Sequence, residues 1–337
     1  MGGYLKIFFI IILGLIGVFI FTKSTTPTNN PVSPAPALTN QTLKQDSPMF
    51  IENLRKRGYP ASNISLEETL TPGANYRRYI ASYKSDGLKI YGLLTIPNSP
   101  KPEKGFPTIV FLHGYINPKQ YTPTSDYIAS QDGLARSGFI TFKPDLRGHG
   151  KSEGEATGAH FSEGYVVDAL NLISALKAYS EVNPGEIGVW GHSNGGEMML
   201  RLMVISKDIK AGVSWAGVVG SFEDMLETYI DKIPFMRLTS PLVQENDLPS
   251  KNPNFWNKID PYFYLRDISA PIQLHHGTSD EQVPIELSLH LKEELEKANK
   301  VVEYHEYPGA DHNFTGTSFS LATQRSVNFF KKYLSEN

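Results

Sequence analysis

Hydrophobic and polar positions follow two different periods along this chain. Over 76–83 and 88–96 the period is two, and these stretches flank Ser85-Asp86-Gly87. Alternation on both sides of a turn-forming Asp-Gly predicts an antiparallel hairpin. From residue 108 onward the pattern changes. Short stretches at 108–112, 139–143, 187–190, 211–215, 271–275 and 302–307 predict strands, the run 187–190 being apolar apart from glycine. Longer stretches at 125–137, 163–179, 197–205, 286–298 and 318–334 predict helices. Within 163–179, Val166, Val167, Leu170, Ile173 and Leu176 recur at helical spacing, which lays one apolar face on a core. Strands alternating with helices predict a mostly parallel sheet covered on both faces, so the class is α/β. A short helix is expected over 49–57, ahead of the hairpin.

The ends and the middle depart from this rhythm. An unbroken run of apolar residues and glycine covers 7–21, between Lys6 and Lys23. At the extreme N-terminus such a run predicts an uncleaved anchor helix within 1–22, lengthened by Tyr4 and Leu5. Positive charge ahead of it predicts a single-pass membrane protein with the main domain extracytoplasmic. Secretion after signal cleavage is the alternative, and Thr22-Lys23-Ser24 is a poor cleavage site. Residues 23–46 are rich in Thr, Asn, Ser and Pro, including Pro27, Pro31, Pro34 and Pro36, and are expected to form a disordered tether. The main domain is expected over 47–337. Inside it, about 222–264 interrupts the strand–helix order with Pro234-Phe235-Met236, Phe255-Trp256 and Pro261-Tyr262-Phe263-Tyr264. So long and aromatic an insertion predicts a small helical cap over the ligand edge of the sheet.

Composition narrows the chemistry. A length of 337 residues suits one large α/β domain or two modest ones. The net charge is −3, without basic runs or an acidic tail, so no nucleic acid partner is expected. The absence of cysteine excludes disulfides, thiolate metal sites and a cysteine nucleophile. No HExxH pattern is present, and neither a metal nor a cofactor is expected. The sequence carries no signal for oligomeric state.

The candidate chemistry lies at Gly191-His192-Ser193-Asn194-Gly195, between the apolar run 187–190 and a helix-forming run. A serine pinned between a strand and a helix sits on a strained turn with its hydroxyl exposed. The flanking glycines avoid collisions and adopt the angles such a turn needs. Alone, Gly-x-Ser-x-Gly equally describes a turn whose serine caps a helix. A nucleophile also needs a base, and the base needs a carboxylate to orient it. In an open parallel sheet these groups sit beyond the carboxyl ends of strands. Asp280 follows the run 271–275, and His312 follows the run 302–307. Glu281 competes with Asp280, whereas Asp311 is too close to His312 to bond its ring. The oxyanion hole is expected from the backbone N–H groups of Asn194 and Tyr115, with the Tyr115 hydroxyl as an alternative donor.

These residues resemble the α/β-hydrolase fold, and within it the catalytic domain of the prolyl oligopeptidase family of serine peptidases. The matching pieces are Leu112-His113-Gly114, Asp145-Leu146-Arg147-Gly148-His149-Gly150, Gly191 to Gly196, His276-Gly277-Thr278-Ser279-Asp280 with Val283-Pro284, and Asp311-His312-Asn313-Phe314. The resemblance implies a Ser193–Asp280–His312 triad and a small peptide or ester substrate. Large members of that family place a β-propeller before this domain, and about 46–105 is far too short for one. Carboxylesterases of the same fold share most of these pieces, so ester hydrolysis stays open beside peptide hydrolysis. A silent binding module is the remaining alternative, and the intact triad argues against it.

Overall fold

The computed structural model describes residues 46–233, 238 and 240–334. The expected anchor and nearly all of the expected tether lie outside them. Among the described residues no helix is long and apolar enough to cross a membrane. The single-pass, extracytoplasmic placement expected from 7–21 is corrected accordingly: no membrane-spanning helix among the described residues supports it.

After a short helix α1 (Ile51–Lys56), β1 (Ser65–Leu70), β2 (Tyr76–Ser85) and β3 (Leu88–Pro97) form an antiparallel meander. The β2–β3 turn is Asp86-Gly87, with φ of 53° and 83°. Two successive positive φ values match the right-handed twist of the flanking strands. The expected hairpin is therefore present, with β2 two residues and β3 one residue longer at their C-terminal ends. The sequence pattern missed β1, an edge strand that is almost wholly exposed. Its polar Ser-Leu-Glu-Glu-Thr-Leu leaves no alternation to detect.

The remainder alternates as expected. It runs β4 (Phe106–Leu112), α2 (Ile128–Arg136), β5 (Ile140–Pro144), α3 (Gly164–Lys177), β6 (Val182–His192), α4 (Asn194–Ile205) and β7 (Ile209–Trp215). The insertion follows, with α5 (Pro241–Asn246) and α6 (Pro253–Ile259). Then come β8 (Ile272–Gly277), α7 (Ile285–Lys297), β9 (Val302–Tyr307) and α8 (Thr317–Leu334). The nine strands lie in the order β1-β2-β3-β5-β4-β6-β7-β8-β9. Pairing is antiparallel up to β3–β5 and parallel from β5 onward.

Successive residues of a strand face opposite sides of the sheet. Val110, Leu112 and Val189 join a core with α3, α4 and α7, through residues such as Val166, Met199 and Leu291. Ile109, Phe111 and Trp190 join another with α2 and α8, through Leu134, Phe329 and Phe330. Covering both faces explains why these strands read as continuous apolar runs.

The insertion has a small core of its own. Phe222, Met225, Val243, Phe255, Trp256 and Ile259 pack together with Val218, Val283 and Leu287. Its helices start where the sequence allows. Pro241 and Pro253 occupy first helical positions, and the Ser240 hydroxyl accepts the Val243 N–H. The buried Asp260 carboxylate ties the two ends of the insertion, accepting the N–H of Phe222 at 2.8 Å and of Tyr262 at 2.9 Å.

Candidate active site

Strand β6 ends at His192 and α4 begins at Asn194, so Ser193 is the whole connection. Its φ of 55° and ψ of −120° are a conformation that a side-chain-bearing residue adopts only under constraint. The constraint is visible in the packing. A Cβ at Gly191 would run into the Gly195 carbonyl, and one at Gly195 into the Leu112 carbonyl of β4. The Ser193 N–H donates to Trp215 O at 3.0 Å, and the Ser193 carbonyl accepts from Gly196 and Val218. Strand, helix and neighbouring loop all hold the serine in place.

Beyond the ends of β8 and β9, Asp280 and His312 meet. His312 Nδ1–H donates to Asp280 Oδ2 at 2.8 Å. The other oxygen, Oδ1, accepts the N–H groups of Gln282 at 2.8 Å and Val283 at 2.9 Å. Burial alone would raise the Asp280 carboxyl, but hydrogen bonds from His276 and His312 outweigh it and hold the group well below the ordinary carboxylate range. It is thus a fixed anion that accepts the His312 Nδ1–H and sets the orientation of that ring. Glu281, the competing acid, is exposed. Asp311 turns its carboxylate to the Thr315 N–H.

Two supporting arrangements were not anticipated. His276 is fully buried behind the acid. Its Nε2 lies 3.2 Å from Asp280 Oδ2 and 3.0 Å from the Val283 carbonyl, and its Nδ1 accepts from the Ser288 hydroxyl at 2.7 Å. The second arrangement is a relay through His192. His192 Nε2–H donates to the His312 carbonyl at 2.8 Å, and Nδ1 accepts from the Tyr127 hydroxyl at 2.6 Å. The Tyr127 oxygen in turn accepts the Gly114 N–H at 3.0 Å. Burial pushes His192 down to about 3, which keeps the ring neutral and its two nitrogens distinct. The relay joins the backbone of His312 to the loop after β4. Its partners are 120, 65 and 13 residues apart in sequence, a separation that no local pattern encodes.

The expected oxyanion donors come together. Asn194 opens α4, where backbone N–H groups lack intrahelical partners. Asn194, Gly114 and Tyr115 line one cavity of about 200 Å³. At Gly114 a Cβ would stand 3.0 Å from the Cβ of Ser193, so the loop after β4 passes directly beside the serine. The Tyr115 side chain is 73% exposed.

The loop from Asp145 to Gly150 shapes this side of the site. Arg147 grips the buried Asp168 with its backbone N–H at 2.9 Å and its guanidinium at 2.7 Å. The loop carries positive φ at Leu146, Gly148 and Gly150, and brings Leu146 and His149 to the cavity.

Comparison with known proteins bears on the fold and the family. The family model described as "Prolyl oligopeptidase family" matches residues 126–337. The chain is similar to "Uncharacterized peptidase YtmA" of Bacillus subtilis (strain 168), at 30% identity over 245 residues, covering 72% of this chain and 89% of that protein. Among solved structures it resembles Pyrococcus horikoshii acylaminoacyl peptidase, with TM-score 0.63 and 24% identity, over 78% of this chain and 43% of the other. It also resembles Est1E from Butyrivibrio proteoclasticus, solved with ferulic acid bound, with TM-score 0.58 and 22% identity, over 76% of this chain and 99% of the other. The chain thus spans less than half of the solved peptidase and nearly all of the solved esterase. At these identities the solved structures establish the α/β-hydrolase fold. The family model, matching more than half of the chain, and the relative at 30% identity establish more: the chain belongs to the prolyl oligopeptidase family, and it is a serine hydrolase.

Proposed function

We propose that Ser193 is the nucleophile, His312 the general base and acid, and Asp280 the group that orients and stabilises His312. The observation that carries this is the 2.8 Å bond from His312 Nδ1–H to an ionised Asp280, beyond the same sheet edge as the strained Ser193 turn. His312 Nε2 takes the Ser193 proton as Oγ attacks the substrate carbonyl. The backbone N–H groups of Asn194 and Tyr115 hold the resulting oxyanion. Losing one such donor typically costs about 2.7–4 kcal/mol of barrier. Collapse expels an alcohol or amine, protonated by His312, and leaves an acyl group on Ser193. Water, activated by His312, then releases the acid. The substrate is a small peptide or carboxylic ester. The 222–264 insertion takes part in selecting it, since its core includes Val283, a residue whose N–H holds Asp280.

A fluorophosphonate probe tests the assignment. The wild-type protein is expected to be labelled at Ser193, and Ser193→Ala to lose both labelling and hydrolysis of short aryl esters. Labelling that survives Ser193→Ala would overturn the assignment. An unlabelled wild-type protein would favour a silent binding module.

A further inference from the structure

The end of β5 buries a charge that the mechanism leaves unused. Lys143 is 0% exposed, in a strand whose other residues are Ile, Thr, Phe and Pro. An ammonium taken out of water is costly unless it is bonded. Its Nζ donates to the Asp126 carbonyl and lies 5.8 Å from the centre of the Tyr121 ring. The Tyr121 hydroxyl donates to the buried Asp145 Oδ1 at 2.8 Å. Lys143 and Asp145, two residues apart, thus both grip the loop that runs from β4 to α2 and passes beside Ser193.

The grip of Lys143 falls where the loop is strained. Tyr127 has a φ of 60°, the left-handed region that costs a residue with a side chain. The angle φ of a residue sets how the preceding peptide is turned, and the carbonyl of that peptide belongs to Asp126. Relaxing Tyr127 to a negative φ would swing the Asp126 carbonyl off the ammonium. The bond therefore holds Tyr127 where its oxygen accepts the Gly114 N–H at 3.0 Å and its proton goes to His192 Nδ1 at 2.6 Å. Tyr115, the proposed oxyanion donor, is the next residue. A hydrogen bond from an ionised donor is about twice as strong as a neutral one, so the hold depends on the charge. We propose that Lys143 is a positioning residue: through Asp126 and Tyr127 its ammonium fixes the oxyanion loop, and turnover depends on that charge although Lys143 touches no substrate. This rests on the assignment of Ser193 and the Tyr115 N–H above.

The charge is lost within reach of an assay. Burial pushes Lys143 down to about 8; the charges of Asp145 and Asp126 oppose the fall, and Arg78 on β2 adds to it. The rings around it titrate elsewhere. Burial pushes His113 down to about 3, and raises Tyr121 and Tyr127 well above the ordinary phenol range. Asp145, raised by burial to about 6, is already ionised where Lys143 loses its proton.

The test measures kcat and KM for para-nitrophenyl acetate from about pH 7 to about pH 9.5, corrected for uncatalysed hydrolysis. Wild-type kcat should fall about tenfold over this range with KM little changed, as for a catalytic group displaced by a fraction of an ångström. Lys143→Met keeps the shape without a donor. It should be about 10- to 100-fold slower at neutral pH and show no further alkaline fall. Lys143→Arg, which stays charged, should turn over near the wild-type rate and also lose the alkaline fall. A lysine with a merely structural role would move the urea midpoint and not the pH profile. A wild-type kcat that stays constant to about pH 9.5 overturns the proposal without any variant, and so does an alkaline fall that persists in Lys143→Met. Fluorophosphonate labelling of Ser193 is measured on the same samples. Either of those results with a labelled wild-type protein removes Lys143 and leaves the triad standing. An unlabelled wild-type protein overturns both.

Discussion

Replacing Tyr127 by Phe removes one oxygen atom from the relay between His312 and the oxyanion loop. That oxygen accepts the Gly114 N–H at 3.0 Å and its proton is given to His192 Nδ1 at 2.6 Å. Gly114 and His192 are both buried, so neither group regains full hydration when its partner is lost. The ring stays, edge-on to Phe111 at 6.0 Å and to Trp190 at 6.4 Å, so no cavity term is added. Leaving a buried donor or acceptor unsatisfied costs about 1–3 kcal/mol. Two such groups place the expected loss at about 2–6 kcal/mol, a large share of a typical total stability of about 5–15 kcal/mol. Urea unfolding followed by tryptophan fluorescence should show a lower midpoint with an unchanged slope. Catalysis should change too, because the relay ties the loop that carries Gly114 and Tyr115 to the backbone of His312, and the proposed mechanism uses both. Misplacing such groups by about 1 Å costs on the order of a hundredfold. The expected result is a 10- to 100-fold lower kcat with little change in KM. A stability loss below about 0.5 kcal/mol, together with an unchanged kcat, would refute the relay.

Asp280→Asn should lower kcat by about 10³- to 10⁴-fold with the circular dichroism spectrum unchanged, because an amide favours the wrong tautomer of His312; a loss under tenfold would remove Asp280 from its role. The same residue predicts a pH effect on stability. Its folded-state pKa is depressed, so its contribution is present above the ordinary carboxylate value of about 3.9 and is lost as pH falls through the folded value. The stability gap between wild type and Asp280→Asn should therefore close below about pH 4, and a constant gap from pH 7 to 2 would contradict it. In the insertion, Trp256 is 1% exposed, donates its indole N–H to the Asp247 carbonyl and packs against Phe222 with centroids 4.9 Å apart. Trp256→Ala should cost about 3–5 kcal/mol by urea unfolding, and a cost under about 1 kcal/mol would show that the insertion's core contributes little.

Much of the fold was legible because its signals are local. The Asp86-Gly87 turn announces its hairpin through two residues that tolerate positive φ. The inner strands β4 and β6 announce themselves because burial on both faces fills Ile109 to Leu112 and Ile187 to Trp190 almost entirely with apolar residues and glycine. Strand β1 gave no such signal, since it owes its conformation to the backbone of β2 rather than to its own side chains. The start of β6 at Val182 was missed for a related reason. Its first residues include Pro184 and Gly185, which break the pattern before the apolar run begins at Ile187.

By itself, the sequence determined the α/β class, the serine turn and the order Ser193, Asp280, His312, because each is written in spacing or in residues with special backbone demands. Tertiary structure alone decided which groups hold that constellation in place. His276 behind Asp280 and the chain from His312 through His192 and Tyr127 to Gly114 depend on side-chain directions across four separate segments. Hydrogen bonds between distant segments leave no periodic trace in a sequence. They exist only once the sheet has brought the ends of its strands together.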